Sequence, residues 1–273
     1  MAREFSLRFW GVRGSTPTPG PETLRYGGET TSLEIRAGER VILIDCGSGA
    51  RKLGRDLMER EQRDVDLLFT HTHLDHICGL PFFQPAYDAG YRVRCWAGHF
   101  ADPRCLMEVV SRIMSPPIFP VAAETLKGVT FETFLAGSTW SLGDVGIETM
   151  RLNHPGGACG YRFSFEGRSL AIITDHEHGD AEIDAAVEAF VEGVDVMVYD
   201  AMYCDEELPK FRGWGHSTWE EALRLAARAG VKRPVIFHHD PARGDDALDR
   251  ISEEVVRRHE GALVAVQGET IDL

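Results

Sequence analysis

Three histidines and one aspartate fall within six positions of the stretch FTHTHLDHICGLPFF (69–83), where His71, His73, Asp75 and His76 follow one apolar run and precede another. The chain has only 11 histidines in 273 residues, so this concentration implies a task. Neutral imidazoles and carboxylates are the usual ligands of borderline divalent metals. His71 and His73 offer one pair at a strand's exit, and Asp75 and His76 turn back to offer a second. One ion per pair needs further donors, and His154, Asp175 and His238 are the natural supply, with Asp175 able to bridge. Two ions roughly 3.5–4 Å apart can hold a hydroxide between them and clamp the attacked group.

The elements that must position these residues are legible as apolar runs. Strand-like segments are FSLRFW, TSLEIRAG, RVILIDC, DLLFT, VGIETMRLNH, GYRFSFEG, RSLAIITD, DVMVYD and PVIFHH. Helix-like segments are ARKLGRDLMER, ICGLPFFQPAY, and the stretches near 180–192, 217–230 and 245–259. Strands and helices are interspersed, so the class is α/β. We expect one domain over 1–273, made of pseudo-equivalent halves at roughly 1–135 and 136–273. His71, His154, Asp175, Asp200 and His238 each end a different strand-like run, and strand ends at one rim are where loops converge on a ligand. The stretch SPPIFPVAAETLKG (115–128), with three prolines, reads as a loop over the site or a surface connection.

Bulk composition narrows the setting. A net charge of −14 opposes general adhesion to nucleic acid, which needs phosphate neutralisation, but leaves room for a small phosphorylated substrate. No uninterrupted apolar run approaches the roughly 20 residues of a membrane span, and MAREFSLRFW lacks the apolar core of a signal peptide. The six cysteines (46, 78, 95, 105, 159 and 204) form no CxxC pair and read as reduced thiols, which suits a cytoplasmic protein.

HTHLDH, the later His, Asp and His, and GVRGSTP…LIDCGSGARKL together resemble the metallo-β-lactamase superfamily over nearly the whole chain. The resemblance implies a four-layer αβ/βα sandwich with two mixed β-sheets and a dinuclear site at one rim. His71, His73 and His154 would hold one ion, Asp75, His76 and His238 the other, and Asp175 would bridge. Zinc is the usual metal, with manganese or iron compatible with the same ligands. FHHDP offers both His238 and His239; similarity to the ribonuclease Z branch selects His238 and leaves His239 as a supporting or solvent-exposed residue. Related folds commonly form homodimers.

VYDAMY and GWGHST decide the reaction. Asp200 and His216 resemble the acidic residue and His-Ser-Thr motif of ribonuclease Z-like phosphodiesterases. Cleaving a P–O bond builds charge on the departing oxygen, and a histidine held by a carboxylate can give it a proton, an effect of roughly 10²–10⁴-fold. The expected catalytic set is Asp200 and His216, together with Asp75 of the metal loop. Ser217-Thr218-Trp219-Glu220 reads as a capping box, which does not explain His216. His176 and His178 exceed the ligand count, and Phe82 and Phe83 read as core. Arg13 is either a phosphate contact or a surface arginine in a tight turn. Only 62 residues separate Asp175 from His238, too few for a long tRNA-gripping arm, so a small or cyclic phosphodiester is the expected substrate. A lactone or thioester hydrolase, and a non-catalytic ligand-binding module, are the rival readings.

Overall fold

Continuously apolar strands such as VILI (41–44) and LAII (170–173) need cover on both faces, because successive side chains point to opposite sides. Two sheets packed face to face, with helices outside each, supply it. The computed structural model describes residues 3–100 and 106–273; Met1, Ala2 and Cys105, which enter the sequence reading, lie outside the described residues.

The first sheet orders β1 (Phe5–Gly11), β2 (Ser32–Ala37), β3 (Arg40–Ile44), β4 (Asp64–Phe69), β5 (Arg92–Ala97) and β6 (Val129–Thr133). The second orders β7 (Thr139–Leu142), β8 (Val145–Leu152), β9 (Ala158–Phe165), β10 (Arg168–Ile173), β11 (Val196–Asp200), β12 (Arg233–Phe237) and β13 (Leu263–Val264). The last strand, β14 (Thr270–Asp272), returns to the first sheet beside β1. Both seven-stranded sheets are mixed, with β3 to β6 parallel in one and β10 to β13 parallel in the other. The helices are α1 (Ala50–Glu59), α2 (Leu74–Ile77), α3 (Leu106–Ile113), α4 (Ala181–Phe190), α5 (Trp219–Ala229) and α6 (Asp245–Arg258).

The period of two sorts the strand residues into three cores. Leu7, Ile35, Ile44, Phe163, Ile172, Val198 and Phe237 meet between the sheets. Leu43, Leu67 and Cys95 face α1 and α3 through Leu53, Leu57 and Val110. Ala171, Ile173, Met197 and Ile236 face α4, α5 and α6 through Val187, Ala222, Leu248 and Val255. Each large apolar side chain so enclosed contributes roughly 1.5–3 kcal/mol, which makes the four-layer sandwich expected from the sequence the stable arrangement.

Some elements differ from expectation. ICGLPFFQPAY is no continuous helix: α2 ends at Ile77, and 3₁₀ turns follow at Leu80–Phe82 and Gln84–Tyr87, because Pro81 and Pro85 cannot supply the required N–H donors. The cap of α5 is Thr218, whose Oγ1 accepts from the Glu221 N–H at 3.1 Å, one residue later than the expected box. Strands β5, β6, β7, β13 and β14, and helix α3, go beyond the segments read from the sequence. The 115–128 stretch buries Ala123 and Leu126 in the outer core and sets Phe119 edge-on to Phe82, so it serves as packing.

Parallel strands place their carboxyl ends at one rim. β8 and β1, each antiparallel to a strand that is itself antiparallel to the parallel set, end there as well. No helix among the described residues is long and apolar enough to cross a membrane.

Candidate metal centre and active site

The rim gathers the predicted residues into two adjoining donor sets. In the first, His154 Nε2 and His73 Nδ1 face each other at 3.0 Å, and His71 Nε2 is buried without a hydrogen-bond partner. Both His71 Nε2 (3.7 Å) and His154 Nε2 (3.8 Å) look toward Asp175 Oδ1. In the second, His76 Nε2 lies 3.2 Å from Asp75 Oδ2, 3.2 Å from Asp175 Oδ2 and 3.3 Å from His238 Nε2. Asp175 thus presents one oxygen to each set.

Three of the rings are aimed by their other nitrogen. His76 Nδ1 pairs with Asp45 Oδ2 at 2.8 Å, and His154 Nδ1 pairs with the Gly215 carbonyl at 2.8 Å. His71 Nδ1 is 3.1 Å from the Thr70 hydroxyl. Such outer partners fix tautomer and orientation in metal sites. Asp75 is steadied by the Ser15 N–H, 2.8 Å from Oδ2. Backbone is shaped to the same end: Asp45, Asp175 and His238 all take positive φ, near 60°, an arrangement kept where surroundings enforce it. Gly14 has to lack a side chain, since a Cβ there would stand 2.6 Å from the His238 ring. At Gly215 a Cβ would meet His154 Nδ1 at 2.2 Å, and φ is +88°.

Asp200 is a hub. Its Oδ1 accepts from the N–H groups of Met202 and Ser217, both at 3.2 Å, and its Oδ2 accepts from the Asp175 N–H at 2.9 Å and pairs with His216 Nδ1 at 2.8 Å. The four lone-pair positions of the carboxylate are thereby used. Although Asp200 and His216 lie close enough to Asp175 and His238 to be grouped as donors, Asp200 has no capacity left for an ion. Burial alone would lower His216, but Asp200 outweighs it and holds the imidazole up to about 9.

Charge favours cations in both sets. Burial pushes His71, His73 and His154 down, leaving neutral rings with free lone pairs. Burial opposes charge on His76 too, yet Asp175, Asp75 and Asp45 raise it well above an ordinary histidine. Asp75 and Asp175 resist the upward push of burial because of neighbouring histidines, His76 first for Asp75 and His238 first for Asp175, and are lowered. An enclosed nest of carboxylates and imidazoles, with an orphaned nitrogen on His71, has the donors that divalent metals take. Only His73 of the seven is exposed, and Leu74 beside it is 67% exposed, so the approach is from that side.

Other expectations need correction. Arg13 is neither a surface residue nor open to a phosphate: it is buried, and its guanidinium donates to the carbonyls of Gly27, Asp240 and Arg243. His239 is buried rather than exposed and pairs with the Ala265 carbonyl at 2.8 Å, while the structure brings His238 to the donors. His176 is buried and accepts from the Asn153 N–H, whereas His178 orients Ser217 at 2.9 Å. Phe83 is core, but Phe82 is 54% exposed. The five cysteines among the described residues are free. Asp45 and Glu177 were missed. Asp45 carried the signal used elsewhere, a carboxylate directly after an apolar strand; Glu177, in a loop, carried none.

The Beta-lactamase superfamily domain matches residues 40–239. The chain is similar to a Ribonuclease Z of Gemmatimonas aurantiaca, at 25% identity over 98% of this chain and 95% of the relative. Among solved structures, the metallo-beta-lactamase fold protein YhfI from Bacillus subtilis superposes with a TM-score of 0.76 at 19% identity, covering 99% of this chain and 100% of that one. A diphosphatase from the PhnP family superposes at 0.74 with 17% identity, covering 100% and 98%.

Proposed function

The chain belongs to the β-lactamase superfamily, and from that premise we propose that it is a metal-dependent phosphodiesterase that works with two divalent ions, zinc first among the candidates. The whole chain acts as one domain of two related halves, in the reducing cytoplasm that its free thiols suit. His71, His73 and His154 would hold one ion, Asp75, His76 and His238 the other, and Asp175 would join them. Bound ions supply Lewis acidity and make coordinated water a better nucleophile. The protein's own groups do the rest. Asp45, Thr70 and the Gly215 carbonyl hold the rings in register; Asp200 fixes both the Asp175 backbone and His216; and His216 donates a proton to the departing oxygen.

One observation carries the reading: an imidazole paired with Asp200 at 2.8 Å, standing 5.3 Å (ring to ring) from His154 and 5.1 Å from His238. Lactam or thioester cleavage has less need of such a pair. The relatives' name, Ribonuclease Z, sets RNA against the expectation drawn from charge that nucleic acid is not bound. A small diester remains the preferred substrate: the alignment runs over 324 positions against 273 residues here, so that relative carries stretches with no counterpart in this chain. Metal-loaded protein should hydrolyse an aryl phosphodiester faster than a lactone or a thioester. The reverse order would sink the proposal and favour the carboxylic-ester rivals.

A further inference from the structure

GWGHST contains a feature that neither capping nor catalysis uses. Trp214 is 62% exposed, whereas Trp10 and Trp219 are buried. A single exposed apolar residue is ordinary on a surface, but this one is mounted. The N–H groups of Gly213 and Gly215, on either side, donate to the Glu177 carboxylate at 2.8 and 2.9 Å. Arg212 donates to the His178 carbonyl at 2.7 Å, and Gly215 is the residue whose carbonyl orients His154.

Behind the indole stands a column of rings. Trp214 meets Phe211 edge-on with centroids 5.5 Å apart. Phe211 lies flat on Tyr203 at 4.4 Å and 6°. Tyr203 in turn sets its edge to His216 at 6.1 Å. An aromatic surface is therefore held rigidly two residues from the group that meets the leaving oxygen. Two residues of chain span at most roughly 7 Å, so the indole and the imidazole are carried on backbone positions no farther apart than about the reach across a ribose from its 5′ oxygen to its base.

We infer that Trp214 is a specificity-determining platform on which the base of a departing nucleoside stacks while His216 meets that nucleoside's oxygen. The inference rests on the phosphodiesterase reading and names its substrate class, diesters whose leaving group is a nucleoside. Stacking tolerates any base, because each has a π-face.

The test uses the metal-loaded full chain and two substrates, the dinucleotide UpA and a counterpart whose leaving nucleoside lacks its base. Both release a primary 5′ alkoxide of a ribose, so the bond broken is of the same kind. Trp214→Ala should shrink the preference in kcat/KM for UpA over the abasic diester by roughly 5- to 100-fold, and Trp214→Phe should restore most of it. An unchanged preference, with or without an equal fall on both substrates, overturns the platform and leaves Trp214 a loop residue. A separate readout keeps the two readings apart. AMP, but not ribose 5-phosphate, should quench tryptophan fluorescence, and the quench should vanish in Trp214→Phe. If the wild-type protein cleaves the aryl phosphodiester but neither of these two, the nucleoside substrate class is overturned while the phosphodiesterase reading stands. If it cleaves none of the three, that reading fails, and the AMP quench alone decides Trp214: lost in Trp214→Phe it upholds base stacking, absent from the wild type it overturns it.

Discussion

The same device is built twice, once at the end of each sheet. Asp45, after β3, pairs with His76 Nδ1 at 2.8 Å, and Asp200, ending β11, pairs with His216 Nδ1 at 2.8 Å. Both carboxylates also accept backbone N–H groups, from Thr70 in one case and from Asp175, Met202 and Ser217 in the other. Both histidines are raised against the downward push of burial, His76 by Asp175 and Asp75 ahead of Asp45, and His216 by Asp200 first. What separates them is the far nitrogen. His76 Nε2 meets Asp75, Asp175 and His238 within 3.3 Å. Among the described residues no hydrogen bond reaches His216 Nε2. On the proposed function, a carboxylate–histidine pair is a module whose role is set by what the second nitrogen faces: converging donors would make it a ligand, and an open side an acid.

The largest effect that could break this contrast is removal of the ions. Dialysis against a chelator should abolish phosphodiester turnover, and zinc or manganese should restore it; full activity in metal-free protein would leave both sets without their assigned purpose. Next comes His216→Ala, expected to lower kcat by roughly 10²–10⁴-fold while the protein still binds two ions per chain. Loss of an ion instead would return His216 to the donor group it shares with Asp175 and His238. Asp45→Ala should act in the opposite manner. It frees His76 to turn and weakens affinity for one ion by roughly 10–100-fold, so activity should recover at high metal concentration. Activity that stays low at saturating metal would erase the distinction between the pairs.

How much of this was readable beforehand follows from the physics of each element. Strands such as VILI and LAII announce themselves because burial on both faces demands unbroken apolar runs. β5 (RVRCWA) and β6 (VTFET) did not, since Arg94 spends its charge on Asp66 inside the sheet and β6 is an edge strand. The donors could be named because each follows a strand and is of a ligand type. The structure brings all seven together, along with Asp200 and His216. Arg13 could not be read correctly: its partners are carbonyls of residues 27, 240 and 243, and no local pattern reports a carbonyl left waiting. Glu177 was hidden for the same reason, as its partners are the N–H groups of Gly213 and Gly215.

The smallest effect sharpens the contrast from outside. Thr218 is two residues beyond His216, and its hydroxyl both donates to Asp205 at 2.7 Å and accepts from the Glu221 N–H at 3.1 Å. Loss of such a cap costs about 1 kcal/mol, so Thr218→Ala should lower Tm by roughly 2–4 °C in a chain of this size. His216 should keep its place, because Asp200 grips the adjacent Ser217 N–H and the His216 ring independently of the cap. Calorimetry paired with kinetics should therefore show a shifted Tm beside a kcat within about twofold of wild type at 25 °C. A larger fall in kcat would mean that the helix start, rather than Asp200, sets the position of the acid, and the kinship between the two Asp–His pairs would then be one of distance only.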